Sequence, residues 1–186
     1  MGIDEAIRRR HGAEADTDLG RRQAAYAEAQ RQAELARELR IAGADFAVRV
    51  GRAPEPIQRW QRRDLVHRTS GPLGWLGVET HHTTVRADAA EPGHVAVTRT
   101  WSAQDRWQAT EAILIGRMGR WYLVRHTVDA VTIDPIVRPA AYLNIVARLC
   151  GPGGEADPVG TFENACLRTL EAGTPTRLFP VPPKVR

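Results

Sequence analysis

Cysteine is scarce in this 186-residue chain, and lysine scarcer: two cysteines, and the single Lys184 against 25 arginines. Cys150 and Cys166 are too few for a disulfide framework, and neither belongs to a C-x-x-C pair, so a cysteine-based zinc site is excluded. Both read as small buried hydrophobes on two separate helices. Long apolar runs are missing too. Ala112–Ile115 is among the longest, far short of the roughly 20 residues needed to cross a bilayer as a helix. The opening "MGIDEAIRRRHGAEAD" lacks the apolar core of a secretion signal, which sets a cytoplasmic protein with no membrane partner as the expectation. No P-loop, dinucleotide-binding glycine pattern, G-x-S-x-G, H-E-x-x-H or kinase set occurs, so no motif specifies a reaction and no cofactor is implied.

What is present suits a folded domain. Apolar residues make up 42% and charged residues 26%, enough for a core and against wholesale disorder. The net charge is +4, carried by arginine-rich chemistry with 22 interleaved acidic residues; this permits nucleic-acid binding without demanding it.

Residues 17–46, "TDLGRRQAAYAEAQRQAELARELRIAGADF", are rich in Ala, Gln, Glu, Arg and Leu and predict the strongest helix, with Gly43 as its stop. Tyr26, Ala29, Ala33 and Ala36 form an apolar stripe, widened by Leu35, Leu39 and Ala42. Residues 1–16 read as a mobile N-terminal segment holding a short helix and charge. Pro54 and Pro56 break the chain, and a β texture follows to about residue 134. Five strands are expected at 57–68, 75–86, 94–102, 108–117 and 120–133. "SGPLG", "DAAEPG", "SAQDR" and "RMGR" mark the turns of an antiparallel meander. Two helices close the domain. Pro139 and Pro158 stand at first-turn positions, Asp157 as a cap, and Gly151 and Gly173 as stops. The expected whole is an α+β domain over residues 1–173: an amphipathic helix, a curled five-stranded antiparallel meander and two C-terminal helices. A Pro-rich basic tail, 174–186, packs through Leu178 and Phe179 or hangs free.

Histidines are the natural place to look for chemistry. Within "GVETHHTTVRA", strand alternation sends His81 and His82 to opposite faces, so the pair does not share one metal. On the last strand Tyr122, Val124, His126 and Val128 share one face, while Trp121, Leu123, Arg125 and Asp129 share the other. A histidine in an apolar row is either a hydrogen-bonded core residue or a general base tuned by a pocket. The candidate catalytic set is therefore His126, Tyr122 and His82. Glu111 lies across from either His126 or Arg125, according to register. For nucleic acid the best stretch is "IQRWQRR", where Arg59, Arg62 and Arg63 flank Trp60: guanidinium for phosphate, indole for a base.

A helix laid on a curled antiparallel sheet, with His, Tyr and a carboxylate near the concavity, resembles the nuclear-transport-factor-like cone fold. That superfamily contains small dehydratases and isomerases as well as binding modules without catalysis. The resemblance covers residues 17–133, and the two helices that follow depart from the minimal cone. Three functional readings result. The leading one is a non-catalytic protein-binding or assembly module that engages a protein partner or self-associates as a homo-oligomer. The second is a cone-fold lyase or isomerase acting on a small hydrophobic ligand. The third is an arginine-mediated nucleic-acid binder.

Overall fold

A computed structural model describes residues 3–70, 77–103, 107–173 and 179. In chain order it contains α1 (Ile3–Val50), β1 (Glu55–Ser70), β2 (Gly77–Ala103), β3 (Trp107–Gly116), β4 (Trp121–Thr127), β5 (Ala130–Pro135), α2 (Pro139–Leu149) and α3 (Pro158–Glu171). One 3-10 turn, Arg117–Gly119, joins β3 to β4. The architecture is α+β: an N-terminal helix, an antiparallel five-stranded meander and two C-terminal helices. The meander closes into a barrel, because β1 returns to β5 through Trp60–Val131 and Gln61–Ala130.

Five strands were expected and five are found, but the chain is divided differently. "DAAEPG" is not a turn. β2 runs straight through it and changes neighbours there, pairing with β1 up to Gly93 and with β3 from Gly93 onward. Gly93 faces both Glu55 and Gly116, and a Cβ on it would stand 2.7 Å from the Leu114 side chain. The glycine permits a close crossing rather than a reversal. Conversely, the expected strand 120–133 folds back on itself at Val128–Asp129, where Thr127 pairs with Ala130. That two-residue loop carries no glycine or asparagine, and neither residue has a positive φ. Its anchor is long-range instead: the Arg62 N–H donates to the Asp129 carbonyl at 2.7 Å, fixing the turn to β1 where the barrel closes. The expected turns "SGPLG" and "SAQDR" fall largely outside the described residues.

Strand alternation sorts the side chains into two clusters. Ile57, Trp60, Val95, Ala112, Leu114, Val124, Val131 and Ile133 fill the barrel interior. Val97, Ile113, Ile115, Trp121 and Leu123 point outward and meet the helices: Leu39 and Phe46 of α1, Tyr142 and Val146 of α2, Phe162 and Ala165 of α3. Two irregularities adjust this alternation. A register shift between Val95 and Val97 puts Ala96 and Val97 together on the helix side, and the displaced Ala96 carbonyl accepts from the Thr169 hydroxyl of α3 at 2.7 Å. A second shift between Gln58 and Trp60 lets Ile57 and Trp60 both point inward.

Trp121 is the centre of the outer layer. It is 1% exposed, with the Phe162 ring 4.5 Å away and the Tyr142 ring 5.2 Å away, centroid to centroid. Its indole N–H has no hydrogen-bond partner. Over it lies Gly43, where a Cβ would come within 2.5 Å of Nε1. Gly43 is therefore not the end of the helix. It is the point of closest approach between α1 and the sheet, and the helix continues to Val50, where Gly51 takes a left-handed φ of 64°. The N-terminal boundary also moves. The short helix and charged stretch expected at residues 1–16 belong, from Ile3 onward, to the same continuous α1. At α2 and α3 the expected signals hold: Pro139 and Pro158 open the helices, and the Asp157 carboxylate accepts from the Gly160 N–H at 2.9 Å.

Candidate functional site

Register decides which candidate residues meet. His126 lies in β4 opposite Thr110 of β3 and Val131 of β5, and Val131 in turn pairs with Trp60 and Trp60 with Ala87. His82 pairs with Leu65, five residues along β2 from Ala87 and roughly 16 Å away at strand spacing. The sheet therefore does not bring His82 beside His126, and the side chain of His82 is outside the described ones. Tyr122 shares the inward face with His126 but sits four residues along β4, opposite Leu114 and Pro135.

His126 is half-buried at the mouth of the barrel. Burial alone pushes its pKa below the ordinary 6.5 and favours the neutral ring. Its neighbour across the mouth is Phe179 of the tail, with ring centroids 6.3 Å apart and planes at 88°. Phe179 also packs against the inner cluster and covers that end of the barrel. Leu178, expected to pack with it, is outside the described residues. Tyr122 has its phenol pKa raised, first by burial and then by a hydrogen bond to the Glu91 carboxylate. None of the described cavities is lined by His126 or Tyr122. A general base needs a substrate within hydrogen-bond reach, and the space inward of His126 is occupied by the protein's own side chains.

The carboxylate nearest in sequence logic, Glu111, is on the other face. It pairs with Arg125, not with His126, and is 9% exposed. The Arg125 Nε donates to Glu111 Oε1 at 3.0 Å, and its Nη1 reaches Asp134 Oδ2 at 3.3 Å. From α2, the Arg148 Nη1 lies 3.1 Å from Oε1 and 3.0 Å from Oε2, with its N–H directed at Oε1. Arg99 donates to the Arg148 carbonyl at 2.5 Å and lies 5.4 Å over the Trp101 ring. This chain of contacts ties the end of α2 to β2, β3 and β4. The sequence offered Arg125 as one of two partners for Glu111 and gave no sign of Arg148; the only signal was a lone glutamate at the head of an apolar run. Its chemistry is that of a structural ion pair, in which each arginine has a partner and the carboxylate is enclosed.

The arginine stretch divides in the same way. Trp60 is 4% exposed inside the barrel, so its ring is not presented to a base. Arg59 donates to the Ile133 carbonyl across the closure. Arg62 and Arg63 are exposed on β1 beyond it. Both cysteines lie in the helix layer, and burial raises the Cys150 thiol to about 12 and the Cys166 thiol further, which keeps them protonated and unreactive at neutral pH. Among the described residues no group of three or more His, Cys, Asp and Glu side chains is placed to share a metal ion. No helix among them is long and apolar enough to cross a membrane.

The surface that remains is on α1. From Asp18 to Arg31 every side chain is exposed, and burial begins only around Leu35 and Ala36. Of Asp18–Val50, nearly half, about 21 Å of helix, therefore stands clear of the body. It bears Leu19 at 56% exposure and Tyr26 at 67%.

Fold and surface together define a closed antiparallel meander barrel, backed by three helices, one of which projects. No protein-family model matches the chain, and no match was found with curated proteins or with solved structures.

Proposed function

We propose that this protein is a non-catalytic protein-binding or assembly module whose contact surface is the projecting half of α1. The observation that carries the reading is the exposure of α1 between Asp18 and Arg31, with an aromatic and a leucine held out in water. The body gains nothing from this length, since Ala36, Leu39 and Phe46 supply the packing of α1 on the sheet. A helix that extends past its own core and carries large apolar groups is suited to laying that face on another helix. The barrel interior supports the same reading: Trp60, Leu114, Val124 and Ile133 fill it, and Phe179 covers the end where His126 sits.

The test is sedimentation of the purified chain over a wide concentration range, combined with affinity capture. A mass rising above 20.6 kDa with concentration supports the reading. So does a captured protein that is lost when Leu19 and Tyr26 are both changed to serine. A persistent monomer that captures nothing sensitive to those two positions overturns it.

A further inference from the structure

Every large apolar side chain that α1 exposes among the described residues lies on one line. Leu19, Tyr26, Ile41 and Val48 are 56%, 67%, 53% and 80% exposed, and Ala33 is exposed between them. At about 100° per residue these five fall within about 40° of a straight stripe parallel to the helix axis. The body-facing Ala36, Leu39, Gly43 and Phe46 are about 100–180° away from it. The stripe thus runs along a side of α1 turned away from these body-facing residues, over its docked half as well as its projecting half, and in the docked half it borders the β3–β4 turn at Ala44.

The spacing reads the same from both ends. Leu19 and Val48 are equally far from the midpoint between Ala33 and Glu34, and so are Tyr26 and Ile41. Of the polar residues on the stripe, Gln30 is mirrored by Arg37, whereas Gln23 is mirrored by the small Ala44. We infer that α1 pairs with α1 of a second copy of this chain, antiparallel, about a two-fold axis between Ala33 and Glu34. This rests on the binding-module reading and names its partner.

Three features favour the antiparallel sense. It sets Leu19 on Val48 of the partner subunit and Tyr26 on Ile41 of the partner subunit, large group against large group, with small Ala33 where the helices come closest. It sets Arg37 opposite Gln30 of the partner subunit, whereas a parallel pair would bring the two Arg37 guanidinium groups together on the seam. And the stripe differs at its two ends. At Leu19 it is a lone side chain on a free helix. At Val48 it widens into an apolar groove of about 330 Å³ between α1 and the barrel, lined by Ala44, Ala47, Val48, Pro54, Ile115 and the 94% exposed Met118 of the β3–β4 turn. A two-fold antiparallel pair places each knob in the other copy's groove, the isologous arrangement of a C2 dimer.

Area sets the strength. From Leu19 to Val48 the stripe is about 44 Å long, and a helix contact about 10 Å wide covers roughly 440 Å² on each copy, roughly 900 Å² in all before Met118 is added. That is just under the roughly 1,000 Å² a specific interface must clear, the size of a weak and reversible contact.

Cysteine cross-linking of the full chain tests both partner and orientation. The native Cys150 and Cys166 are buried with raised pKa values, so a mild oxidant such as diamide acts on introduced thiols. Chains carrying Leu19→Cys and chains carrying Val48→Cys, mixed in equal amounts, should yield a disulfide-linked pair containing one of each, and either alone should yield at most a tenth as much. Efficient linking of Leu19→Cys chains to one another overturns the antiparallel arrangement. Self-association by sedimentation without the mixed cross-link overturns this interface but leaves the binding-module reading standing. Monomer at every concentration, with a captured partner that depends on Leu19 and Tyr26, removes the second copy as occupant and keeps the reading. As an independent measure, Tyr26→Glu should weaken self-association at least tenfold with unchanged helical circular dichroism, since the residue touches nothing in the body; undiminished association overturns the proposal.

Discussion

α1 is one helix in two environments. From Asp18 to Arg31 it is mainly Ala, Gln, Glu and Arg in water, held by local pairs such as Asp18–Arg21 at 3.0 Å and Glu28–Gln32 at 2.9 Å. Its second half has a buried edge formed by Ala36, Leu39, Gly43 and Phe46, pressed on Trp121 and Ile115. The backbone is the same in both, and what differs is the source of its stability. In the docked half it comes from tertiary packing, and in the projecting half from intrinsic propensity and i,i+4 contacts worth a few tenths of a kcal/mol each. The same substitution should therefore act differently, even in opposite directions, in the two halves.

The largest contrast is expected from truncating an aromatic. Phe46→Ala removes a side chain that is 2% exposed in the outer layer and should cost about 3–5 kcal/mol of unfolding free energy. Tyr26→Ala in the projecting half should change the unfolding free energy of the dilute monomer by less than about 0.5 kcal/mol. Equal losses at the two sites would mean that the first half is packed on the body after all.

Gly43→Ala comes next. In an exposed helix this change gains about 1 kcal/mol, but here the new methyl meets Trp121 Nε1 at 2.5 Å, and the indole is held by Tyr142 and Phe162. Overpacking costs of about 1–3 kcal/mol should outweigh the gain, so thermal unfolding should shift downward. An upward shift would show that α1 can lift from the sheet at little cost.

Gly43 also shows how far the sequence could be read. Composition and periodicity located the helices, the β region and the α+β class, because those depend on local preference and on which face is apolar. A glycine before "ADF" carries the local signature of a helix stop, and nothing local says that a tryptophan 78 positions later needs the space. "DAAEPG" failed for the same reason: its proline and glycine serve a strand that changes partners. "TVDA" failed in the opposite direction, since its turn is held by Arg62 from another strand. The candidate residues behaved alike. The faces of Tyr122, Val124 and His126 followed from alternation, but whether His82 reaches His126 is a matter of register, which the sequence leaves open.

Acid should separate the body from the projecting helix. His126 and His94 both have pKa values lowered by burial, His94 also by Arg52 and partly restored by Glu55. A histidine whose folded pKa lies below its unfolded value binds its proton more readily in the unfolded chain. Its stabilising contribution is full above the unfolded value, near 6.5, and is lost as pH falls through that value toward the folded one. The thermal midpoint should therefore drop between pH 7.5 and pH 5.5, a window in which ordinary carboxylates stay ionised. His126→Gln should remove part of the slope. Residues 18–50 of α1 contain no histidine, so hydrogen exchange in the projecting half, corrected for the intrinsic rate, should not follow that slope. A midpoint that stays level or rises on acidification would count against the buried neutral histidines.

The smallest effect is the sharpest test of the two environments. Gly20 sits in the projecting half, and a Cβ there would meet nothing within 4 Å. Gly20→Ala should then show the bare helix propensity difference, a local gain of up to about 1 kcal/mol. Amide exchange between Asp18 and Gln30 should slow by up to about fivefold, the factor that 1 kcal/mol represents, while the global unfolding midpoint stays where it was. The two readouts must part company, because this stretch contributes helix but no packing to the body. If the global midpoint rose in step with the local protection, the projecting half would unfold together with the barrel. Its exposed stripe would then belong to the cooperative unit rather than to a free arm available to a partner.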